Sequence, residues 1–439
     1  MILKTLESTV ESRIRSRTAT VGVVGLGYVG LPLAVAFANA GFTVTGIETN
    51  PARAGAITGG RSYIDDVPTH DVERLVGDGR LAAATDYSAL GRADVIVVCV
   101  PTPLTKSKEP DLSYLVDAAR SIAAVLHPDQ LIILESTTYP GTTVEVVRPI
   151  LETGHVRAGV DFHLAFSPER IDPGNKRYTI ADIPKVVGGL TPACTRLAAC
   201  FYQQVVRTVV PVSSPDVAEM VKCYENVFRN VNIALVNELT LLCDRMGINI
   251  WEVIDAAATK PYGFMPFYPG PGVGGHCIPV DPYYLLAKAR EYDFHARFIE
   301  LATEVNDGMP YYVVARTTHA LGVSGKTLRG ARVLVLGVAY KPGISDARMS
   351  PSLKIIELLH KQGADVSYHD PHVPAVHFPN PGTMASVPLT DEMLSSVDCV
   401  IIATDHDAVD YDRVATTAPL IVDTRNRLAG CSDSRVVPL

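Results

Sequence analysis

Between Thr20 and Glu48 the chain reads strand, glycine turn, helix, strand, acid, and few folds accommodate that order. Thr20 to Val24 is a short β-prone run, and G-L-G-Y-V-G follows at Gly25 to Gly30. The apolar, alanine-rich stretch Leu31 to Ala40 is closed by Gly41, and a second run from Phe42 to Ile47 ends on Glu48. In this register Gly25 lets the chain turn, Gly27 lets backbone reach a pyrophosphate, and Gly30 lets helix and strand pack; Tyr28 and Val29 complete the turn, and the helix N-terminus faces the negative charge. Glu48 is placed for adenosine ribose hydroxyls, which favours NAD over NADP because a 2′-phosphate would be repelled. Arg53 cuts the other way by offering a cation to a phosphate. The glycine pattern alone would be weak, but flanked by strand, helix and acid it points to a dinucleotide site.

The pattern continues as apolar strands, each ending in a polar or proline-containing turn. Val95 to Val100 leads into Pro101-Thr102-Pro103, Leu131 to Leu134 into Glu135-Ser136-Thr137-Thr138-Tyr139-Pro140-Gly141, and Phe162 to Ala165 into Phe166-Ser167-Pro168-Glu169-Arg170. Runs at Lys185 to Val187 and Val205 to Val210 follow. Continuous apolar runs separated by helical stretches indicate parallel strands covered on both faces. Ligands of such sheets bind beyond the carboxyl ends of the strands, so Thr102, Thr137 and Glu169 fall on a cofactor rim. Each has a bland alternative as a cap or turn residue, Thr102 above all, and Glu169 has a further one as half of an ion pair with Arg170.

From Pro215 the period becomes helical, with Val217, Met220, Val221, Tyr224, Val227, Phe228, Val231 and Leu235 apolar and the run continuing to Met246 before Gly247. This is a long helix, expected to join domains and subunits. Glu219, Lys222 and Asn226 share one face of it. A salt-bridged, solvated face is an open alternative for Glu219 with Lys222; Asn226, among Val and Phe, is less typical of an exposed position.

The stretch F-Y-P-G-P-G-V-G-G-H-C-I-P-V-D-P-Y, Phe267 to Tyr283, sets Gly270, Gly272, Gly274 and Gly275 ahead of Cys277 and Asp281. Such a loop can wrap a polar substrate and present a thiol to it, or it can be a surface loop with an inert cysteine; the residues leave both open. Tyr283 to Tyr292 and Ala296 to Asp307 read as helices. Leu328 to Leu439 forms a second α/β unit with strands at Arg332 to Leu336, Val366 to Tyr368, Cys399 to Ala403 and Leu420 to Val422, and with a helix capped by Ser350 and Pro351 and ended by Gly363. It has no complete G-x-G-x-x-G. Lys341 and Arg425 at its strand ends offer cations to an anionic ligand. His369-Asp370-Pro371-His372 and Asp405-His406-Asp407 lack partners at metal-site spacing and read as turns, so no metal is expected.

A chain of 439 residues needs two or three domains. The formal charge of -8 speaks against a nucleic-acid surface, and 8 cysteines without C-x-x-C spacing speak against a zinc ribbon or a disulfide framework. No apolar run approaches a membrane span, and Met1 to Arg17 lacks a signal-peptide block, so a cytoplasmic protein is expected.

With these motifs in hand the chain resembles the UDP-glucose/GDP-mannose dehydrogenase family, from about Thr20 to Arg425. The resemblance rests on G-L-G-Y-V-G, V-P-T-P at 100–103, E-S-T-T-Y-P-G at 135–141, F-S-P-E-R at 166–170, E-M-V-K-C-Y-E-N at 219–226 and G-V-G-G-H-C-I-P-V-D at 272–281, with the lysine of G-V-A-Y-K and the arginine of D-T-R-N behind them. It implies two Rossmann-like doubly wound parallel-sheet domains joined by a long central helix: an NAD domain at 1–212, a central helical domain with the cysteine loop at 213–310, and a nucleotide-sugar domain at 311–439. It further implies oxidation of a C6 alcohol to a carboxylate with two NAD and no released aldehyde, best matched to the branch acting on UDP-N-acetylglucosamine, in a homodimer or higher homo-oligomer formed through the central helix.

The roles implied are these. Asp281, through a water placed by Thr137, or else Lys222, is the first base; Lys222 and Asn226 stabilise the alkoxide; Cys277 forms the thiohemiacetal and thioester, its thiol pKa lowered by cations such as Lys222; and Glu169 directs water at the thioester. Pro101, Thr102, Thr137 and Lys341 join the glycine turn, Glu48 and Arg53 around the cofactor. Glu169, Arg170, Lys222, Asn226, Tyr268, Gly270, Gly274, Lys341 and Arg425 hold the substrate. Tyr139 departs from the family's usual proline or valine, and the cross-subunit arginine that some members use has no aligned counterpart here, with Lys260 a candidate for its place. A single-step hydroxyacid dehydrogenase would need no thiol loop. A silent NAD-sensing protein would not need Lys222, Asn226, Cys277 and Asp281 together.

Overall fold

The computed structural model describes residues 9–439 except 173, 176, 380, 381 and 432, so part of the Met1 to Arg17 stretch lies outside the described residues. The chain divides into two units, Met1–Glu225 with Tyr283–Asp293, and Asn226–Pro282 with Phe294–Leu439.

In the first unit, strands β1 (Thr20–Val24), β2 (Thr43–Ile47), β3 (Leu81–Ala84), β4 (Val95–Val98), β5 (Leu131–Leu134), β6 (His163–Phe166), β7 (Lys185–Gly189) and β8 (Val209–Val212) form one sheet in the order β3-β2-β1-β4-β5-β6-β7-β8. The chain leaves β1 toward β2 and later returns on its other side as β4, which creates the switch point where open α/β sheets bind ligands. Val24 pairs in register with Ile47 on one side and Val98 on the other. Alternate side chains feed two cores: Val23, Val97 and Ile133 pack on one face, and Val24, Val98 and Leu134 on the other. Such two-sided burial explains the unbroken apolar runs.

Two details depart from the sequence expectation. β6 and β7 pair antiparallel, because the segment between them supplies only the 3-10 turn Ile180–Asp182 among its described residues and no crossover helix. The strand expected at Val205 to Val210 begins later, at Val209, because the Val205 and Val206 amides still bond back to the Tyr202 carbonyl after helix Pro192–Tyr202.

In the second unit, β9 (Arg332–Leu336), β10 (Asp365–His369), β13 (Cys399–Ile402), β14 (Ile421–Asp423) and β15 (Val436–Pro438) form an all-parallel sheet in the order β10-β9-β13-β14-β15, while β11 (Ala375–His377) and β12 (Thr383–Ala385) make a small antiparallel pair. Helix Pro351–Lys361 starts as expected, with the Ser350 hydroxyl accepting from the Ser352 amide. The helix expected at Ala296 to Asp307 instead runs from Arg297 to Val323 and passes through Pro310. Met309, Val313 and Val314 are buried in the core of this sheet, and that burial outweighs the hydrogen bond a mid-helix proline forfeits.

The central helix, Pro215–Met246, is continuous over 32 residues. Met220, Tyr224, Phe228, Leu235, Leu239 and Leu242 form an exposed apolar stripe along it. No helix among the described residues is long and apolar enough to cross a membrane.

Candidate active site

The glycine turn after β1 owes its shape to contacts only glycine permits. Gly25 has φ +89°, and a Cβ there would lie 2.7 Å from the Cys99 carbonyl oxygen; a Cβ on Gly30 would lie 1.8 Å from the Gly25 oxygen. A Cβ on Gly27 would meet nothing within 4 Å, so the room a side chain would take is left open above the turn. Helix Gly30–Asn39 then begins without a side-chain cap at Val29; the Leu31 amide bonds to the Gly27 carbonyl at 3.1 Å and Pro32 has no N–H, so an anion there would meet the Gly30 amide and the positive end of the helix dipole. Tyr28 and Val29 are half-buried beside it. Glu48 is buried at the end of β2, and its Oε1 accepts from the Asn50 amide at 3.0 Å. Arg53, proposed as a phosphate partner, has its guanidinium 5.5 Å from the centre of the Tyr63 ring. Burial and then the Glu48 charge push the Tyr63 hydroxyl pKa up, and that hydroxyl donates to the Leu26 carbonyl. These residues fit NAD.

Pro101 is exposed and Thr102 half-buried after β4. Thr102 is not a helix cap; its carbonyl accepts the Tyr284 hydroxyl at 2.8 Å. Thr137 is half-buried after β5. Its loop is anchored at Glu135, which is 1 % exposed, pairs with Lys185 at 2.5 Å and accepts the Tyr202 hydroxyl. At the far end of that loop Glu219, 0 % exposed, accepts from the Gly141 amide at 2.7 Å and from the Thr143 amide and hydroxyl at 2.9 and 2.6 Å. Burial lifts the Glu219 carboxyl to about 7 against these donors.

The solvated-face alternative for Glu219 and Lys222 is thereby overturned. Both are buried, and Lys222 pairs with Glu169: its Nζ donates to the Glu169 carbonyl at 2.7 Å and lies 3.2 Å from Oε2. The Glu169–Arg170 pair is also absent. Arg170 binds Glu225 and the Pro184 carbonyl, while Glu169 Oε1 accepts from the Ile171 amide. A lysine and a carboxylate almost dry together can hold or pass a proton.

In the second unit Asn226, 7 % exposed, donates from Nδ2 to Asp281, 1 % exposed. Asp281 opens helix Asp281–Arg290, and its amide bonds to the Cys277 carbonyl at 2.8 Å, which fixes the turn bearing the half-buried thiol. The glycines ahead of it approach this chain's own side chains. A Cβ on Gly270 would sit 2.6 Å from Arg425 Nη1, and one on Gly274 would sit 2.7 Å from Tyr340 Cβ. Arg425 Nε donates to the Ala403 carbonyl at the end of β13, and burial lowers the guanidinium pKa. Lys341 is half-buried after β9. Tyr268 stacks on Trp251 with ring centres 5.8 Å apart. Lys260 lies over the Tyr262 ring. The turn residues Asp370 and His406 pair with each other at 3.0 Å, fully buried.

Sequence reasoning passed over Asn230, Asn237 and Asn306, which are buried and mutually bonded. The spacing of Asn226, Asn230 and Asn237 on one apolar helix face was the signal.

Comparison with known proteins places these features in context. Three profiles of the UDP-glucose/GDP-mannose dehydrogenase family match: the NAD binding domain at 19–206, the central domain at 216–308 and the UDP binding domain at 334–430. The chain is similar to UDP-N-acetyl-D-glucosamine 6-dehydrogenase of Pseudomonas aeruginosa, 41% identical over 81% of this chain and 83% of that protein. It is also similar to UDP-N-acetyl-D-mannosamine dehydrogenase of Pyrococcus horikoshii, 35% identical over 92% of this chain and 95% of that protein. The solved structure of the UDP-D-ManNAc dehydrogenase from Pyrococcus horikoshii superposes with a TM-score of 0.87, 33% sequence identity and coverage of 95% and 98% of the two chains.

Proposed function

Since the chain belongs to the UDP-glucose/GDP-mannose dehydrogenase family and is an NAD-dependent nucleotide-sugar dehydrogenase, we propose that it oxidises the C6 alcohol of UDP-N-acetylglucosamine to the uronic acid. The division of labour we propose is NAD binding by 1–212, catalysis from 213–310 and nucleotide-sugar binding by 311–439.

NAD, when bound at Gly25, Gly27, Gly30 and Glu48, supplies the electron acceptor for both oxidations. Asp281 or Lys222 takes the C6 hydroxyl proton, and Lys222 and Asn226 hold the oxygen as it gains charge. The Cys277 sulfur adds to the aldehyde carbon, so a thiohemiacetal stays on the protein, and its oxidation leaves a thioester. Water directed by Glu169 cleaves the thioester, releasing the acid and restoring the thiol. Arg425, Lys341 and Arg170 hold the nucleotide sugar, and Tyr268, Gly270 and Gly274 shape the loop around it.

The observation that carries this reading is the Cys277 turn, hydrogen-bonded to Asp281, whose carboxylate is in turn bonded to Asn226. UDP-N-acetylglucosamine is preferred because the relative named for it has the higher identity of the two compared. The test is NADH formation from UDP-N-acetylglucosamine, UDP-N-acetylmannosamine, UDP-N-acetylgalactosamine, UDP-glucose and GDP-mannose side by side. The highest kcat/KM is expected with the first, and a higher value with another sugar moves the assignment to it.

The apolar stripe on the central helix supports a homo-oligomer. A second copy is the occupant proposed for it, read out by sedimentation.

A further inference from the structure

The interior of the second unit holds buried polar side chains for which the proposed chemistry has no use. Asn230, Asn237, Thr303 and Asn306 are between 0% and 7% exposed, and they are joined head to tail. The Gly270 amide donates to Asn237 Oδ1 at 3.1 Å, and Asn237 Nδ2 donates to Asn306 Oδ1 at 2.9 Å. Asn306 Nδ2 donates to Asn230 Oδ1 at 2.9 Å and to the Asn230 carbonyl at 3.1 Å. Asn230 Nδ2 donates to Thr303 Oγ1 at 3.3 Å, and that hydroxyl donates to the Ile299 carbonyl at 2.9 Å. Each link has one donor and one acceptor, so the direction is fixed from end to end. Turning any amide over would set oxygen against oxygen or N–H against N–H.

Three buried carboxamides are costly where leucines would fill the same space, and the cost is met only while every partner is present. What leucines cannot do is hold a loop amide in one place. The chain begins at Gly270, whose Cα faces the Arg425 guanidinium so closely that a Cβ would lie 2.6 Å from Nη1. Two residues on, Gly272 has φ +129°, and its Cβ position lies 3.1 Å from the Asn306 carbonyl oxygen. Asn306 therefore backs the loop twice, through Asn237 at Gly270 and through its own backbone at Gly272.

We propose that Asn237 and Asn306 are positioning residues: the directional amide chain sets Gly270 and Gly272, and through them the placement of Arg425 and Cys277. Neither residue touches reacting atoms. The inference rests on the reading of Phe267 to Tyr283 as the substrate loop.

The decisive variant is Asn237→Asp, which keeps the volume and the acceptor for the Gly270 amide but sets a carboxylate oxygen against Asn306 Oδ1. With UDP-N-acetylglucosamine, kcat is expected to fall about 10- to 100-fold, the size of effect a misplacement of about 1 Å brings. KM for NAD should stay within about two-fold, because the cofactor turn lies in the other unit. Alkylation of Cys277 by iodoacetamide, followed by peptide mass spectrometry, should change at least about three-fold in rate while buried Cys399 of the same unit, which reports unfolding, keeps its wild-type rate. Unchanged kcat and alkylation, or a lowered melting temperature with both rates intact, would overturn the proposal.

Should Asn237→Asp not fold, Thr303→Val at the far end of the chain reads the same coupling. A several-fold fall in kcat supports it, and an unchanged kcat refutes it. If Cys277→Ala still makes acid, the catalytic reading fails, while the alkylation rate in Asn237→Asp still decides the positioning.

Discussion

The two larger sheets begin alike and diverge at one carboxylate. In each, the first strand ends in a glycine with positive φ, Gly25 at +89° and Gly337 at +81°, whose amide bonds to the last residue of the neighbouring strand, Ile47 or His369. In each, an acid follows that neighbouring strand. Glu48 bonds to the Asn50 amide of its own turn and leaves the glycine turn alone. Asp370 reaches back instead: its Oδ2 accepts from the Val338 and Ala339 amides at 2.7 and 3.0 Å and from His406. Those two amides are what a diphosphate would meet in a dinucleotide turn. The second sheet thus fills its own anion cradle, whereas the first leaves the space above Gly27 open. Shared topology does not confer a shared ligand; the side chain that occupies the turn does.

The harshest way to break this contrast is Asp370→Ala. Removing a buried carboxylate that also accepts from the His372 and Val373 amides is expected to destabilise the second unit by about 3–5 kcal/mol in denaturant unfolding, with NAD affinity unchanged. A loss below about 1 kcal/mol would mean that the cradle does not depend on it.

Buried acids in the two units should also give opposite pH dependences. Burial lifts the Glu219 carboxyl to about 7, so the protonated form is favoured in the folded state. The stability this gives the first unit is complete below the unfolded value of ~4.3 and is lost as pH rises through about 7, with a ceiling of about 4 kcal/mol. Burial pushes Asp370 up as well, but hydrogen bonds from His406, Ala339, His372 and Val338 prevail and hold its carboxyl below the usual range. Its contribution is present above the unfolded value near ~3.9 and is lost as pH falls through the depressed folded value. Urea unfolding between pH 5 and 8 should show the Glu219 slope, and Glu219→Gln should flatten it; an unaltered slope would assign it to another group.

The mildest probe is Gly27→Ala. Its methyl group meets no protein atom, so unfolding should stay within about 0.5 kcal/mol of wild type while NAD affinity falls about ten-fold or more by calorimetry. Unchanged affinity would remove the diphosphate from that space.

Much of the frame was legible because local rules and tertiary context agree. Strands at Thr20–Val24, Leu131–Leu134 and Arg332–Leu336 and the helix at Pro215–Met246 fall where period and turn residues put them. Legibility failed where distant partners decide. The helix expected to end at Asp307 runs on through Pro310 to Val323, because burial of its later turns carries it. The local pattern left a solvated surface pair open for Glu219 and Lys222, yet each is buried against a different loop. The residue types of the candidate site were visible as motifs, but that Asp370 would cap the second glycine turn was not, because no local spacing encodes where a buried carboxylate points.

The central claim is a four-electron oxidation held on Cys277. The most direct test counts NADH against nucleotide sugar consumed, for the intact protein and for Cys277→Ala. The account predicts about two NADH per sugar and no free aldehyde from the intact protein, with acid formation abolished in Cys277→Ala while NAD binding persists. A stoichiometry of one, released aldehyde, or undiminished acid from Cys277→Ala would contradict it.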